Sequence, residues 1–251
     1  MTRGLSSLAM TTSSSSKKST RVDAGLSGLH TDMAVAALRR AEAVCFDVDS
    51  TVIPEEGIDV LAEFKGQGKA VAELTNQAMG GNVDFRTALE QRLSLIQPAK
   101  TDFERLLKEH PVVLSSGVRE LIDALHARGT HVYLVSGGFR QMIDVVAEEV
   151  SIPYNRIYAN NILFHEDGSY AGFDPSEPTS SDGGKAAVVN MLKNVHGYKT
   201  VVMVGDGATD MQARPPADAF IGYGGTIARE IVKSGADLFV LDFQEVLRLL
   251  G

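Results

Sequence analysis

The chain has 251 residues, of which 44% are hydrophobic and 22% are charged, and its formal net charge is −8. These values are typical of a soluble globular protein with room for one large domain and a smaller accessory domain. The acidic balance argues against a nucleic-acid partner, because phosphate backbones require clustered lysine and arginine. No apolar stretch approaches the roughly 20 residues that a membrane span needs.

The N-terminal segment differs in composition from the rest of the chain. Residues Met1–Arg21 are rich in serine and carry basic but no acidic side chains. This composition is typical of an organelle transit segment and equally of a disordered terminal tail. We therefore assign residues 1–32 to a disordered leader or possible transit segment. The expected location is soluble and intracellular, either in the cytoplasm or in a plastid or mitochondrion.

From residue 41 onward, short apolar runs alternate with amphipathic helical patterns. The predicted strands are Ala43–Val48, His131–Val135, Thr200–Val204, Ala219–Gly222 and Asp237–Leu241. The predicted helices between them are Val118–Ala127, Arg140–Glu149, Lys185–Asn194 and Ile227–Ser234. Repeated strand–helix–strand alternation predicts an α/β fold with a doubly wound, Rossmann-like parallel sheet, which binds ligands outside the carboxyl ends of its strands.

Two insertions interrupt this alternation. Residues 55–111 have helical patterns and are too long for a loop, so we expect a small helical cap domain placed over the end of the first strand. Residues 41–54 and 112–251 then form the catalytic α/β core. Ala159–Phe173 has two β-like runs around a central turn and predicts a hairpin.

Two carboxylates, Asp47 and Asp49, follow the first predicted strand. Charged groups at the end of a buried strand require partners or a metal. A phosphoryl-transfer site has a use for both, one as a nucleophile and the other as a general acid and base. A surface Asp-x-Asp turn is the structural alternative.

A second acidic pair, Asp206 and Asp210, follows the predicted strand Thr200–Val204. In a parallel sheet this strand end can lie beside the first one. Hard carboxylate oxygens around a partly hydrated ion suit Mg²⁺, so the sequence predicts a magnesium site. Taken alone, Gly-Asp-x-x-x-Asp is also a common turn.

Two further elements are suited to binding an anion. Ser136, Gly137 and Gly138 follow the strand His131–Val135 and precede a helix, whose N-terminus offers free N–H groups. Lys185 follows two glycines at the start of another predicted helix and can place a positive charge on a phosphate. Each element is weak evidence alone, since a tight turn would have the same pattern.

The aspartate pair, Ser-Gly-Gly, lysine and Gly-Asp-x-x-x-Asp occur in this order. The set resembles the haloacid dehalogenase superfamily of aspartyl-phosphate enzymes. The resemblance covers residues 41–251, and four stretches are similar to superfamily members that act on phosphoserine. These stretches are Asp47–Leu61, Ala78–Gly81, Ser136–Met142 and Gly205–Met211.

The resemblance implies a magnesium-dependent hydrolysis of O-phosphoserine to serine and phosphate, the final step of serine biosynthesis. It implies Asp47 as nucleophile and metal ligand, and Asp49 as general acid and base with its main-chain carbonyl on the metal. Asp206 would be the third protein ligand and Asp210 a support of the metal site.

The same resemblance implies residues that bind the substrate. Glu56 would bind the amine and Arg92 the carboxylate. The other implied positions are Ser136, Gly137, Gly138 and Lys185 around the phosphoryl group, Thr209 on the substrate, and Met79 and Gly80 closing over the pocket.

The residues around Arg92 support this role independently. Phe85, Leu89, Arg92 and Ile96 have helical spacing, so the arginine lies on an apolar stripe and requires a carboxylate partner. A neighbouring acid such as Glu90 could supply that partner instead of a substrate. Glu56 could likewise be only an acid in the first turn of a helix.

Three alternatives stay open at this point. The chain could pass the phosphoryl group to an acceptor other than water, or act on another small phosphomonoester. It could also be a catalytically silent binding module, although every charged group that the chemistry requires is present. A monomer and a homodimer are both compatible with the sequence.

Overall fold

A computed structural model describes the backbone of residues 16–77 and 83–251 and the side chains of residues 28–75 and 83–251. The strands are β1 (Ala43–Phe46), β2 (His131–Phe139), β3 (Ile157–Asn160), β4 (Ile162–Phe164), β5 (Tyr170–Phe173), β6 (Val201–Gly205), β7 (Ala219–Tyr223) and β8 (Leu238–Val240). The helices up to the second strand are α1 (Ser16–Arg39), α2 (Gly57–Phe64), α3 (Gly68–Gln77), α4 (Phe85–Ile96), α5 (Lys100–Glu109) and α6 (Val118–Ala127). The later helices are α7 (Arg140–Glu149), α8 (Gly184–Asn194), α9 (Ala208–Met211), α10 (Glu230–Gly235) and α11 (Phe243–Leu250).

Within these ranges, six strands form one parallel sheet in the order β3-β2-β1-β6-β7-β8. The predicted α/β class with a doubly wound, Rossmann-like sheet is therefore confirmed. The chain winds outward from β1 to β3 and then crosses to the other side of β1 at β6. This reversal opens a crevice at the carboxyl ends of β1 and β6, where such sheets bind ligands.

The residues of β1 explain why this strand lies at the centre. All four are buried, and their side chains alternate between the two faces of the sheet. Val44 and Phe46 pack in one core with α1, α6, α7 and α11, whereas Ala43 and Cys45 pack in a second core with α8. A strand covered on both faces reads as a continuous apolar run.

Helices α2 to α5 lie between β1 and α6 in the chain and contribute most of a third core, which Phe139 of β2 also joins. Leu61, Leu89, Leu93 and Phe103 are buried in it. The antiparallel hairpin of β4 and β5 packs against this core through Ile162 and other apolar side chains. The helical segment α2–α5 is thereby held over the carboxyl edge of the large sheet.

Several predicted boundaries need correction. Residues 16–32 of the predicted disordered leader are helical and belong to α1. Near its C-terminal end, Ala34, Ala37 and Leu38 of this helix are buried in the core on one face of the sheet. Residues 1–15 lie outside the described part of the chain. The hairpin begins at Ile162, since Ala159 and the following asparagine belong to β3 of the large sheet.

The third correction concerns α10, which begins at Glu230 and not at Ile227. Arg229 precedes this helix with an extended backbone, and its side chain pairs with Asp206 after β6. In the described ranges, the structure contains no helix that is both long and apolar enough to cross a lipid bilayer.

Candidate active site

One cavity of about 690 Å³ lies between the carboxyl edge of the large sheet and the helical segment α2–α5. It brings together, from the described part of the chain, the predicted residues Asp47, Asp49, Glu56, Arg92, Ser136, Gly137, Gly138, Lys185, Asp206 and Thr209. Met79 and Gly80 lie outside the described residues.

Asp47 is the first residue after β1 and lies at the base of the cavity. Its N–H donates to the carbonyl of Val204 at 2.9 Å, which continues the pairing of β1 with β6. Its side chain is buried and accepts a hydrogen bond from the N–H of Val48 at 2.7 Å. The other carboxylate oxygen lies 2.9 Å from Lys185 Nζ. These contacts hold the carboxylate in one orientation, as a nucleophile requires.

Asp206 and Asp210 complete an acidic cluster with Asp47. One carboxylate oxygen from each of the three side chains lies within 4.8 Å of the others. Asp210 is fully buried, and its two oxygens accept hydrogen bonds from Lys185 Nζ at 2.7 Å and from the N–H of Gly207 at 3.0 Å. Asp210 therefore orients Lys185 and the turn after β6, and the cluster is one that can bind a metal ion.

Charges in the cavity support the same conclusion. Among the residues described, five acidic and three basic side chains line the cavity. Burial, together with the charge of Asp47, raises the pKa of Asp206 above its usual value, although Arg229 opposes this. Burial would lower the pKa of Lys185, but the charges of Asp210 and Asp47 outweigh it and raise that pKa, so the lysine stays protonated. The remaining excess of carboxylates suits a divalent cation with hard oxygen ligands.

Asp49 points into the cavity two residues after Asp47. The N–H of Gly57 at the start of α2 donates to its Oδ1 at 3.0 Å. Its Oδ2 lies so close to Gly138 that a Cβ atom there would be 2.7 Å away, so a larger residue at this position would displace the Asp49 carboxylate. Burial, and then the charges of Glu56 and Asp47, raise the pKa of Asp49 well above its usual value, as a general acid requires.

The predicted anion-binding elements line the same cavity as Asp47. Ser136, Gly137 and Gly138 fall within the last residues of β2, and the helix begins only at Arg140. The expected placement at a helix start is therefore corrected to the irregular end of a strand. Ser136 is fully buried, and its Oγ accepts a hydrogen bond from the N–H of Gly138 at 3.0 Å. Lys185 is the second residue of α8, as predicted.

Glu56 and Arg92 lie at the other end of the cavity. Glu56 precedes α2 and makes no side-chain capping bond; its Oε1 accepts a hydrogen bond from Ser50 Oγ at 2.7 Å. Arg92 Nε donates to the Ala88 carbonyl of its own helix at 3.0 Å, and no carboxylate of the described chain lies within ion-pair distance. The pairing of Arg92 with Glu90 is thus absent, and burial lowers the pKa of Arg92 against the opposing charges of nearby acids.

Sequence reasoning missed Arg229, which lies in the cavity between both ends. Its Nη2 lies 2.8 Å from Asp206 Oδ2 and 3.6 Å from Glu56 Oε1. The chain around it has no motif, and only the strand order brings it beside the end of β6. Phe85 at the start of α4 was expected only as a stripe residue, but its ring lies against Gly137 and lines the cavity.

Comparisons with known proteins agree with this geometry. Residues 41–218 match the family model described as haloacid dehalogenase-like hydrolase. The chain is 54% identical over 210 residues to phosphoserine phosphatase of Bos taurus, and the match covers 84% of this chain and 93% of the relative. It is 52% identical over 214 residues to the chloroplastic phosphoserine phosphatase of Arabidopsis thaliana, which covers 84% of this chain and 72% of the relative.

Solved structures give the same result at lower identity. A phosphoserine phosphatase with an analogue of the phospho-aspartyl intermediate superposes with a TM-score of 0.71 at 28% identity, covering 83% of this chain and 98% of that one. A substrate-bound phosphoserine phosphatase superposes with a TM-score of 0.72 at 27% identity and with the same coverage of both chains.

Proposed function

The chain belongs to the phosphoserine phosphatases within the haloacid dehalogenase-like hydrolase family, and from this premise we propose that it hydrolyses O-phosphoserine to serine and phosphate through an aspartyl-phosphate on Asp47. One observation supports the proposal most: a single cavity is lined by Asp47 with Lys185 beside it and also by the guanidinium of Arg92, which pairs with no carboxylate of the described chain. The reaction completes serine biosynthesis.

In the first step, a carboxylate oxygen of Asp47 attacks phosphorus and the bond to the serine oxygen breaks. Asp49 gives its proton to that oxygen as it leaves, which the raised pKa of Asp49 favours. Lys185, the Ser136 hydroxyl and the backbone of Gly137 stabilise the charge of the phosphoryl oxygens. The products of this step are serine and the aspartyl-phosphate.

In the second step, a water molecule attacks the phosphorus of the intermediate. Asp49, now a carboxylate, takes the proton of this water, and the bond between phosphorus and Asp47 breaks. The N–H of Gly57 keeps Asp49 in the same place for both proton transfers. Phosphate leaves, and both carboxyl groups return to their initial states.

The donor set fits Mg²⁺. Asp47, Asp206 and the main-chain carbonyl of Asp49 would hold the ion, and Asp210 would support it through Lys185 and Gly207. When bound, Mg²⁺ would neutralise phosphoryl oxygens and align them with the nucleophile.

The end of the cavity that holds Glu56 and Arg92, which we call the amino-acid end, selects the substrate. Arg92 can bind the serine carboxylate with two parallel N–H···O bonds, since its guanidinium has no other carboxylate partner among the described residues. Glu56, oriented by Ser50, would accept from the ammonium group, and Thr209 lies exposed at the cavity surface to contact the substrate. A phosphomonoester without these charges would leave the partly buried Glu56 and Arg92 without substrate partners, so it should bind less well.

An assay on a panel of phosphomonoesters tests this function. With Mg²⁺, O-phosphoserine should release serine and phosphate in equal amounts, with kcat/KM about 100-fold above that of an aryl phosphate. A chelator should stop release and added Mg²⁺ should restore it. Similar rates on all substrates, or release without a divalent ion, would contradict the proposal. Serine release with less than stoichiometric phosphate in the presence of alcohols would indicate phosphotransfer instead.

The location of the chain forms a second part of this proposal. The transit-like composition of Met1–Arg21 and the chloroplastic relative support import into an organelle. The mature N-terminus, determined by mass spectrometry, distinguishes an imported and cleaved chain from a cytoplasmic one.

A further inference from the structure

A buried amide lies behind the end of the cavity that holds Asp47, Ser136 and Lys185, which we call the phosphate end, and it does not itself line the cavity. Asn160 is the last residue of β3 and is 0% exposed. Its Nδ2 donates to the carbonyl of Gly137 at 2.8 Å, and its Oδ1 accepts from Thr179 Oγ1 at 3.0 Å. The mechanism above uses neither Asn160 nor Thr179.

The first of these bonds falls where the sheet becomes irregular. Val135 pairs with Tyr158 and Phe139 pairs with Asn160. Between these two pairs β2 therefore has three residues, whereas β3 has only one. A bulge of this kind removes regular ladder partners from the stretch it contains. The Asn160 side chain supplies a partner for the Gly137 carbonyl within that stretch, as a buried backbone oxygen requires.

The bond to Gly137 also fixes the orientation of the next N–H. The Gly137 carbonyl and the Gly138 N–H belong to one planar trans peptide and point in opposite directions. Because Asn160 holds the carbonyl on one side, the Gly138 N–H faces the other side, where it donates to Ser136 Oγ at 3.0 Å. With a lone pair used in this way, Ser136 retains its own O–H to donate to an anion.

The second bond connects Asn160 to the start of α8. Gly137 has an oxygen that can only accept, so the Asn160 amide must turn Nδ2 towards it and present Oδ1 to Thr179. Thr179 is 3% exposed and lies in the 3₁₀ turn Pro178–Ser180. This turn packs tightly on α8, because a Cβ atom at Gly184 would lie 2.1 Å from the Pro178 carbonyl. The next residue is Lys185.

We propose that Asn160, supported by Thr179, is a positioning residue that holds the Ser136–Gly138 segment and the start of α8 in register for binding phosphoryl oxygens. The inference rests on the proposed phosphatase function, since it assigns the anion site to the substrate phosphate. Asn160 acts through the Gly137 carbonyl and touches no reacting atom.

The test uses the full chain with Mg²⁺ and inorganic phosphate as the probe, read as a product inhibitor and by calorimetry. Asn160→Asp removes the donor to Gly137, and Thr179→Val removes the hydroxyl at nearly constant shape. Each should weaken phosphate binding and lower kcat/KM by about 10-fold or more, because a buried polar group is left unsatisfied. Thr179→Ser keeps the hydroxyl and should stay within about twofold of the parent chain.

Thr130→Val is the matched control. Its buried hydroxyl donates to the Ala41 carbonyl at 3.0 Å, next to the amino ends of the strands and away from the cavity. This variant should lose thermal stability but keep its phosphate affinity. If Thr179→Val and Asn160→Asp also lose only stability, the two residues are structural and the inference is wrong.

Measurements on the parent chain show whether a negative result concerns the role of Asn160 or the proposed function itself. A parent chain that binds phosphate but hydrolyses no phosphomonoester would contradict the function while the comparison of phosphate affinities still tests Asn160. A parent chain that neither binds nor releases phosphate would overturn both. Should Asn160→Asp not fold, Thr179→Val and Thr179→Ser alone decide, since both keep the shape of the turn.

Discussion

The two ends of the cavity are built differently. At the phosphate end, Ser136, Lys185 and Asp210 are 0%, 7% and 0% exposed and are bonded to neighbouring backbone or to each other. At the amino-acid end, Glu56 and Arg92 come from the helical segment and stay only partly buried, and the side chain of Glu56 is 39% exposed. Arg92 is bonded only to its own helix in the described chain.

This difference separates the chemistry from the recognition of the substrate. In the proposed reaction, the phosphate end has its dipoles and charges in place before a substrate binds, which would lower the barrier without reorganisation. The amino-acid end presents charges that the substrate itself would pair. Substitutions at the first end should therefore abolish turnover of every phosphomonoester, and substitutions at the second should mainly reduce discrimination.

The largest effect is expected at the nucleophile. Asp47→Asn replaces the attacking carboxylate by an amide of the same shape, so no aspartyl-phosphate forms. We expect kcat to fall by ~10⁴-fold or more, as for other residues that act as covalent nucleophiles. The loss should be the same for O-phosphoserine and for an aryl phosphate, measured as phosphate release with Mg²⁺.

Asp123→Asn is the matched control for that change. Asp123 lies exposed on α6, outside the cavity, and its replacement should leave kcat unchanged. Thermal unfolding of both variants shows whether the fold is kept. Retention of more than a small fraction of activity by Asp47→Asn would remove Asp47 from its role.

Much of the phosphate end could be predicted from the sequence because strand periodicity is local. The apolar run before Asp47 predicts a buried strand, and parallel winding then brings Asp206 to the same edge. Lys185 was placed correctly because two glycines mark the start of α8. The helical segment was predicted from its length and patterns alone.

What could not be predicted depends on contacts between distant parts of the chain. Arg229 reaches Asp206 only because β7 and α10 follow β6 in space, and its sequence neighbours give no sign of this. Asn160 reads as an ordinary residue of a hairpin until β3 is paired with β2. The buried end of α1 lies after the predicted leader, residues 1–32, and before the predicted core, which begins at residue 41, so neither prediction included it.

A smaller effect, confined to one class of substrate, is expected at Arg92. Arg92→Ala removes the guanidinium that would bind the substrate carboxylate, and hydrogen bonds between charged groups contribute about 1.5–3 kcal/mol. We expect kcat/KM for O-phosphoserine to fall by about 10- to 100-fold and that for an aryl phosphate to change by less than about threefold. Steady-state kinetics on both substrates measure the difference.

Two further variants sharpen this result. Arg92→Lys keeps the charge but not the planar pair of donors, so its kcat/KM for O-phosphoserine should lie between those of the parent and Arg92→Ala. Arg105→Ala removes an exposed arginine from α5 of the same helical segment and should leave both substrates unaffected. Equal losses on both substrates in Arg92→Ala would count against a carboxylate-binding role.

The smallest effect is expected where the amino-acid end is attached to the core. Arg86, at the start of α4, donates to the Pro175 carbonyl and to Ser180 Oγ, both at 3.0 Å. Arg86→Ala removes these bonds, so α4 and Arg92 are held less firmly over the phosphate end. Because each bond contributes only about 1 kcal/mol, kcat/KM for O-phosphoserine should fall by about 3- to 10-fold and that for an aryl phosphate by less.

Arg119→Ala is the matched control, since Arg119 joins α6 to Glu149 through a carbonyl and a carboxylate outside the cavity. If both variants lower kcat/KM equally, docking of α4 through Arg86 has no part in recognising the amino acid.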